Sequence, residues 1–379
     1  MSTAAQQTPT YELADYKSLG NDLLTQRIRA VRDQLGPELL ILGHHYQQDE
    51  VIALSDLRGD SYELSKMAAS NTQCRWIVFC GVHFMAETAD ILANRPERLA
   101  ERDGQRVPVS LPDLAAGCSL ADMADTDQVE RCWAQLGEVI DTDDLLPVTY
   151  VNSTAALKAF CGRHGGIVCT SSNARAVMDW AFARRSRVLF FPDQHLARNT
   201  ARAMGIPLEQ MPLWDPAAPA LGGHSADVLR HSRVILWKGL CSVHQVFQPE
   251  HIARFRNAHP AGRVIVHPEC QMDVVDQADQ AGSTAAIIDA VAQSPPGACW
   301  WIGTEWNLVN RLKQQYPDQQ IEFLADADGL CPTMYRIDLP HLCWAAENLA
   351  AGTPVNVITV EPEIAAGALL ALQRMLDVH

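Results

Sequence analysis

The stretch Glu38-Leu-Leu-Ile-Leu-Gly43, running directly into His44-His-Tyr46, decides how the rest of this chain is read. Four consecutive large apolar residues between turn signals are too few for a helix. They fit a β-strand buried on both faces, which is the strand type of parallel sheets. Equivalent runs follow at intervals: Trp76-Ile-Val-Phe79, Arg106-Val-Pro-Val-Ser110, Leu146-Pro-Val-Thr-Tyr150, Gly166-Ile-Val-Cys-Thr170 and Arg187-Val-Leu-Phe-Phe191. Arg233-Val-Ile-Leu-Trp237, Arg263-Val-Ile-Val266, Cys299-Trp-Trp-Ile302 and Ile321-Glu-Phe-Leu324 complete the set. Amphipathic stretches such as 174–183 and 285–292 lie between them. Alternating strand and helix predicts an α/β fold of parallel sheets covered by helices.

A larger repeat overlies this alternation. Three segments open with a strand that ends in a polar cluster: His44-His-Tyr46, Tyr150-Val-Asn152 and His267-Pro-Glu269. Each closes with a loop holding one cysteine: Ala115-Ala-Gly-Cys-Ser119, Lys238-Gly-Leu-Cys-Ser242 and Asp328-Gly-Leu-Cys-Pro332. Gly117, Gly239 and Gly329 stand shortly before the three cysteines. Cys118 and Cys241 are 123 positions apart, and Cys241 and Cys331 are 90 apart. The longer interval contains a Pro-, Gly- and Ala-rich stretch at 198–232, read as an insertion in a unit of roughly 90 residues, within the size range of small domains.

The expected organisation is therefore a helical lead-in (1–36) and three similar αβα domains (37–125, 126–250 and 251–345). A C-terminal strand and helix (346–379) is expected to pack on the first domain. Ligands of open parallel sheets sit beyond the carboxyl ends of the strands. A pseudo-threefold arrangement with these edges facing one another would bring one cysteine per domain to a common centre. Three packing cysteines, alike by chance among eleven, is the alternative that the pattern leaves open.

Composition narrows the function. Apolar residues make up 47% and charged residues 20%, as in ordinary globular chains. A net charge of −15 with no basic tract disfavours nucleic acid and anionic membrane surfaces as partners. No apolar run approaches membrane-spanning length, and residues 1–20 lack the basic and apolar regions of a secretory signal, so a cytoplasmic location is expected. The odd total of eleven cysteines excludes complete internal pairing, and the absence of any C-x-x-C argues against ribbon zinc sites, thioredoxin-like motifs and clustered ferredoxin ligation.

Turns rich in Ser, Thr, Asn and Asp follow several strands: Gly59-Asp-Ser61, Asn152-Ser-Thr154, Thr170-Ser-Ser-Asn173 and Gly282-Ser-Thr284. Each is explained by helix capping taken singly. Together, at strand ends of a repeated unit, they would present helix N-termini to a small anionic substrate. His44, Tyr46, His267 and Glu269 follow strands directly. A buried carboxylate at Glu269 needs a partner or a use as a base. His83, His195 and His244 also follow strands and are weaker candidates.

Taken together, ten stretches resemble the quinolinate synthase family. They are Gly43-His-His-Tyr-Gln47, Gly59-Asp-Ser-Tyr-Glu-Leu-Ser65, Val82-His-Phe-Met-Ala-Glu-Thr-Ala89, Gly117-Cys-Ser119 and Tyr150-Val-Asn-Ser-Thr154. Cys169-Thr-Ser-Ser-Asn173, Pro192-Asp-Gln-His-Leu196, Val266-His-Pro-Glu-Cys270, Gly282-Ser-Thr284 and Cys331-Pro-Thr-Met334 complete them in order. The resemblance is to the branch with a longer middle segment. It implies condensation of iminoaspartate (iminosuccinate) with dihydroxyacetone phosphate to quinolinate in NAD biosynthesis, releasing phosphate and water. It also implies one [4Fe–4S] cluster per chain on Cys118, Cys241 and Cys331, with one iron left open as a Lewis acid.

By matching position, the resemblance assigns substrate contacts to His44 and Ser61, to Tyr150, Val151, Asn152 and Ser171, and to His267, Pro268, Glu269, Ser283 and Thr284. Glu269 matches the acid–base glutamate. Tyr46 matches a tyrosine that closes over the substrate and moves a proton. His44 and His267 are expected to hold a phosphate or carboxylate. An iminoaspartate-producing enzyme would be at most a transient partner. The other eight cysteines match no cluster position, and a disulfide switch involving Cys343 is not expected. Rival readings are another iron–sulfur hydro-lyase, or a zinc lyase, acting on small carboxylic acids, and a non-enzymatic iron–sulfur carrier.

Overall fold

The first apolar run becomes strand β1 (Leu39–His44), in which every residue is buried. In the computed structural model, which describes residues 9–327 and 329–378, β1 is flanked in parallel by β2 (Leu57–Gly59) and β3 (Trp76–Cys80). The register sets Leu40 beside Ile77 and Ile41 beside Val78, so both faces are apolar along the pair. β4 (Val109–Ser110) adds in parallel beyond β3, and the chain's final strand (Val357–Ile358) closes that edge antiparallel to β4. Parts of the expected lead-in (1–8), of the third cysteine loop (Asp328) and of the C-terminal helix (His379) lie outside the described residues.

The second sheet contains β5 (Leu145–Tyr150), β6 (Ile167–Cys169), β7 (Arg187–Phe191), β8 (Leu213–Trp214) and β9 (Val234–Trp237), all parallel. The third contains β10 (Arg263–Val266), β11 (Gln280–Ala281), β12 (Cys299–Gly303) and β13 (Gln320–Phe323), also all parallel. In each sheet the first strand of the repeat lies between the second and the third, and the last lies beyond the third. The insertion contributes β8, which is added outside β9 at the sheet edge and so leaves the common order intact. The repeat read from the sequence is thus a repeat of topology. The chain is α/β, with three parallel-dominated sheets and their covering helices.

Local chemistry fixes where the helices begin. Asp60 accepts the N–H groups of Tyr62 and Glu63, each at 2.9 Å, while Glu63 accepts the Asp60 N–H at 3.1 Å, a complete capping box for helix Ser61–Ser70. Thr154 caps helix Ala155–Arg163 and Ser283 caps helix Thr284–Ala292. The fourth turn differs: Asn173 accepts the Thr170 N–H at 2.8 Å and so closes the loop, without capping helix Ala174–Phe182. Each cap contributes on the order of 1 kcal/mol.

The chain divides into two compact units. The first runs up to Cys118 and includes Cys331–Ala365; the second comprises Ser119–Leu330 and the residues from Ala366 on. In the first, helices Asn21–Leu35 and Leu339–Ala350 pack together, with Leu24, Ile28, Leu342 and Ala346 buried, and Glu347 accepts from Arg27 and from the Tyr16 hydroxyl. In the second, the C-terminal helix comes so close to helix Ala155–Arg163 that a Cβ on Gly162 would stand 1.8 Å from the Gly367 carbonyl oxygen. The C-terminal stretch therefore divides, its strand joining the first sheet and its later residues packing on the second repeat. Among the described residues no helix is long and apolar enough to cross a membrane.

Candidate active site

The polar clusters after β1 and β10 fold into the same turn. Gln47 N–H donates to the His44 carbonyl at 3.0 Å, and Cys270 N–H donates to the His267 carbonyl at 3.0 Å. In each, the N–H two residues on meets the histidine ring: Tyr46 N to His44 Nδ1 at 3.1 Å, and Glu269 N to His267 Nδ1 at 3.3 Å. After β5 the equivalent contact uses a side chain, Ser153 Oγ to the Tyr150 carbonyl at 2.7 Å. Pro268 fits its turn because proline presets φ at the second position. With Nδ1 accepting, the proton of each neutral imidazole rides on Nε2. Tyr46 and Glu269 thus occupy equivalent positions in the first and third repeats.

Within the second unit, Glu269 is the centre of a buried group. Its Oε2 lies 2.8 Å from His244 Nδ1, and both side chains are buried. The His244 ring stacks on His267, with centroids 4.4 Å apart and planes 15° apart. Tyr150 also bonds to the Glu269 side chain. Glu269 Oε1 is buried and has no hydrogen-bond partner among the described residues. Burial alone would raise this carboxyl, but His244, then His267 and the Tyr150 hydroxyl, outweigh burial and hold it down to about 2. Burial and the neighbouring His244 lower His267 to about 3, so it is a neutral donor near pH 7.

A second buried carboxyl belongs to the same neighbourhood. Asp193 caps helix Gln194–Ala203, its Oδ1 accepting the Leu196 N–H at 2.6 Å, while its Oδ2 has no partner among the described residues. Burial, reinforced by the charge on Glu269, pushes Asp193 well above the usual carboxylate range. The two carboxyls are thus pushed apart, Asp193 upward by burial and Glu269 downward by His244. His195 is lowered to about 4 by burial and by Arg198.

The Cys241 loop is set against this group by a close backbone approach. Gln194 N–H donates to the Gly239 carbonyl at 3.0 Å, and a Cβ on Gly239 would lie 2.3 Å from the Pro192 carbonyl oxygen. Donor atoms of Cys241, His244 and Glu269 lie within 4.8 Å of one another. Burial pushes up eight thiols: Cys74, Cys80, Cys132, Cys161, Cys169, Cys270, Cys299 and Cys343. Such thiols resist the ionisation that metal binding needs. Cys118, Cys241 and Cys331 are the other three, all part-exposed. In the second unit Cys241 sets a soft thiol beside His244 and Glu269, a donor set that fits a metal or iron–sulfur group. Cys118 and Cys331 belong to the first unit, where Cys331 Sγ lies 3.4 Å from Thr333 Oγ1, and Cys241 belongs to the second.

Of the residues expected from sequence, Tyr150, His267, Glu269 and Cys241 come together in the second unit. Pro268 shapes their turn. Val151 donates its N–H to the Cys169 carbonyl at 2.7 Å, and Asn152 follows it half-buried. Ser171 is half-buried after β6, and Ser283 and Thr284 are buried at the start of their helix. In the first unit, His44 and Tyr46 pack edge to face at 4.7 Å, and Ser61 opens the helix after β2. His83 is part-exposed beside Glu87 at 3.7 Å. His244, weak by sequence, is central, and Asp193 and Asn199 carried no signal of their own.

Comparison with known proteins gives the family. The model of the family "Quinolinate synthetase A protein" matches residues 26–377. A quinolinate synthase from Rhodopirellula baltica is 63% identical over 368 residues, covering 97% of this chain and 94% of that protein. Those from Corynebacterium glutamicum and Geobacillus kaustophilus are 53% and 54% identical, covering 96% of this chain each and 90% and 95% of their own lengths. The chain belongs to the quinolinate synthetase A family.

Proposed function

We propose that this enzyme condenses iminoaspartate with dihydroxyacetone phosphate to form quinolinate, releasing phosphate and two molecules of water. The atoms of the two substrates account for all products, so the overall reaction needs no external oxidant or reductant. The observation that carries the reading is the buried Glu269–His244 pair beside Cys241, with an uncommitted carboxylate oxygen at Glu269 Oε1.

In this reading Cys118, Cys241 and Cys331 supply the thiolates of one [4Fe–4S] cluster. When bound, such a cluster with an iron free of protein ligand supplies a Lewis acid to a substrate oxygen or nitrogen. Glu269 takes and returns protons at Oε1 during condensation and dehydration, with Oε2 held by His244. Tyr46 moves a proton from the equivalent position of the first repeat. His44 and His267 donate from Nε2 to a phosphate or carboxylate. Ser61, Tyr150, Val151, Asn152, Ser171, Pro268, Ser283 and Thr284 complete the substrate contacts, with helix N-termini favouring the anionic groups. The partners are these small molecules, with transient delivery from an iminoaspartate-forming enzyme.

A second reading rests on the Cys241, His244 and Glu269 group alone, because one thiolate, one imidazole and one carboxylate also suit a single zinc ion. Anaerobic purification with metal and sulfide counting, followed by a two-substrate assay, separates the two. The cluster reading expects about four iron and four sulfide per chain, and ultraviolet-absorbing quinolinate only when both substrates are present. Stoichiometric zinc without sulfide, or no quinolinate from iron-loaded protein, overturns it.

A further inference from the structure

Glu269 is held from outside its own repeat. Asn199, on helix Gln194–Ala203 of the second repeat, donates through Nδ2 to the Pro268 carbonyl at 2.9 Å and to the Cys270 carbonyl at 2.9 Å. The two carbonyls bracket Glu269 by one residue on either side. Both amide hydrogens are used, which fixes the orientation of the group: a flipped amide would set Oδ1 against two carbonyl oxygens. Asn199 is buried, and its Oδ1 has no partner among the described residues. The side chain is thus committed to these two carbonyls.

We propose that Asn199 is a positioning residue for catalysis, clamping the Pro268–Cys270 turn so that Glu269 Oε2 stays on His244 and Oε1 stays turned toward the substrate. The inference rests on the acid–base role proposed above for Glu269. The rest of the turn is tied to its own repeat: His267 N–H donates to the Gly303 carbonyl at 2.9 Å, and Cys270 Sγ lies 3.7 Å from the same oxygen. Those bonds anchor the inner ends of the turn. The Pro268 and Cys270 carbonyls are held instead by Asn199.

The helix that carries Asn199 begins at Asp193, which neighbours Glu269, and at Gln194, which bonds the Gly239 carbonyl of the Cys241 loop. One rigid element therefore references three parts of the site. An acid–base group misplaced by about 1 Å commonly costs about a hundredfold in rate.

The test uses the cluster-loaded enzyme and three substitutions, Asn199→Asp, Asn199→Ala and Asn199→Ser. Asn199→Asp keeps the shape, removes both amide donors and is expected to lower kcat about a hundredfold or more. Asn199→Ala is expected to lower kcat about 10- to 100-fold. Asn199→Ser keeps one donor and is expected to recover part of that loss. In all three, KM for both substrates and iron content stay within about twofold of wild type, since kcat alone reports an interaction with the reacting group. A lowered melting temperature with unchanged kcat below the transition would mean that Asn199 only stabilises the fold, and would overturn the proposal. Glu269→Gln is run alongside: if it turns over normally, the acid–base reading fails; if it is inactive while Asn199→Ala is not, the clamp alone fails.

Discussion

His244 Nδ1 stands 2.8 Å from Glu269 Oε2, inside a region where both side chains are buried. A carboxylate moved from water into such a place is costly unless a partner compensates it. His244 is that partner, and its ring is in turn held in a stack with His267. The pair thus keeps Glu269 charged where a lone carboxyl would take up a proton.

Replacing His244 by Ala should therefore raise the Glu269 pKa and leave a buried acid without its partner. Breaking a buried pair on one side costs about 3–5 kcal/mol. A drop of that order in unfolding free energy, with loss of turnover, is the expected result. Denaturant melts and the quinolinate assay on one preparation check it.

Glu269→Gln keeps shape but removes the charge and the proton-accepting function. General acid–base groups contribute about 10²–10⁴-fold, so turnover should fall by that factor while iron and sulfide content are retained. Absorption spectra and product formation are measured together. An unchanged rate removes Glu269 as the base.

The lowered pKa values of His267 and His195 set a pH dependence of stability. Both stay neutral in the folded chain down to about 3 and about 4, while an unfolded histidine takes up a proton near 6.5. The unfolded state binds more protons between these limits, so stability falls as pH drops below about 6.5. Each site contributes a slope of up to about 1.4 kcal/mol per pH unit. Melting temperature measured from pH 7 to 5 should decline, and His267→Asn should flatten the decline.

Two glycines near the proposed ligand cysteines, Gly117 one residue before Cys118 and Gly239 two before Cys241, make opposite predictions. Gly239→Ala sets a Cβ 2.3 Å from the Pro192 carbonyl oxygen, so the backbone must move. A loss of about 1–3 kcal/mol and a lower iron content are expected. Gly117→Ala meets nothing within 4 Å and should keep both. Iron counting on the two variants checks the contrast, and equal behaviour would remove the close approach as the reason for Gly239.

Cys241→Ser should lose iron and sulfide, whereas Cys270→Ala, whose thiol is buried beside the Gly303 carbonyl, should lose stability and keep them. Metal counting separates the two after purification without oxygen. Retention of a full cluster by Cys241→Ser refutes its assignment as a ligand.

The strands were legible because burial on both faces forces apolar residues at every position. All ten apolar runs are strands, and the repeat of topology follows their order. β2, β8 and β11 escaped notice because two or three residues are too few to show a pattern. His44, His267, Tyr150 and Glu269 were visible because they follow strands directly. His244 was less so, since its role depends on a short turn, Ser242–Val246, that only tertiary packing brings to Glu269. Asn199 lies in an amphipathic helix, and nothing in its spacing announces that its amide reaches carbonyls 69 and 71 positions away.

The backbone contact between Gly162 and Gly367 also bears on synthesis. Translation proceeds at roughly 5–20 residues per second, so the roughly 200 residues between the two glycines take about 10–40 s to appear. Once Trp237 is made the middle repeat has its strands, but it still lacks the helix that covers this face. The nascent chain is then exposed to wrong association at this face until helix Pro362–Asp377 is made and seals it.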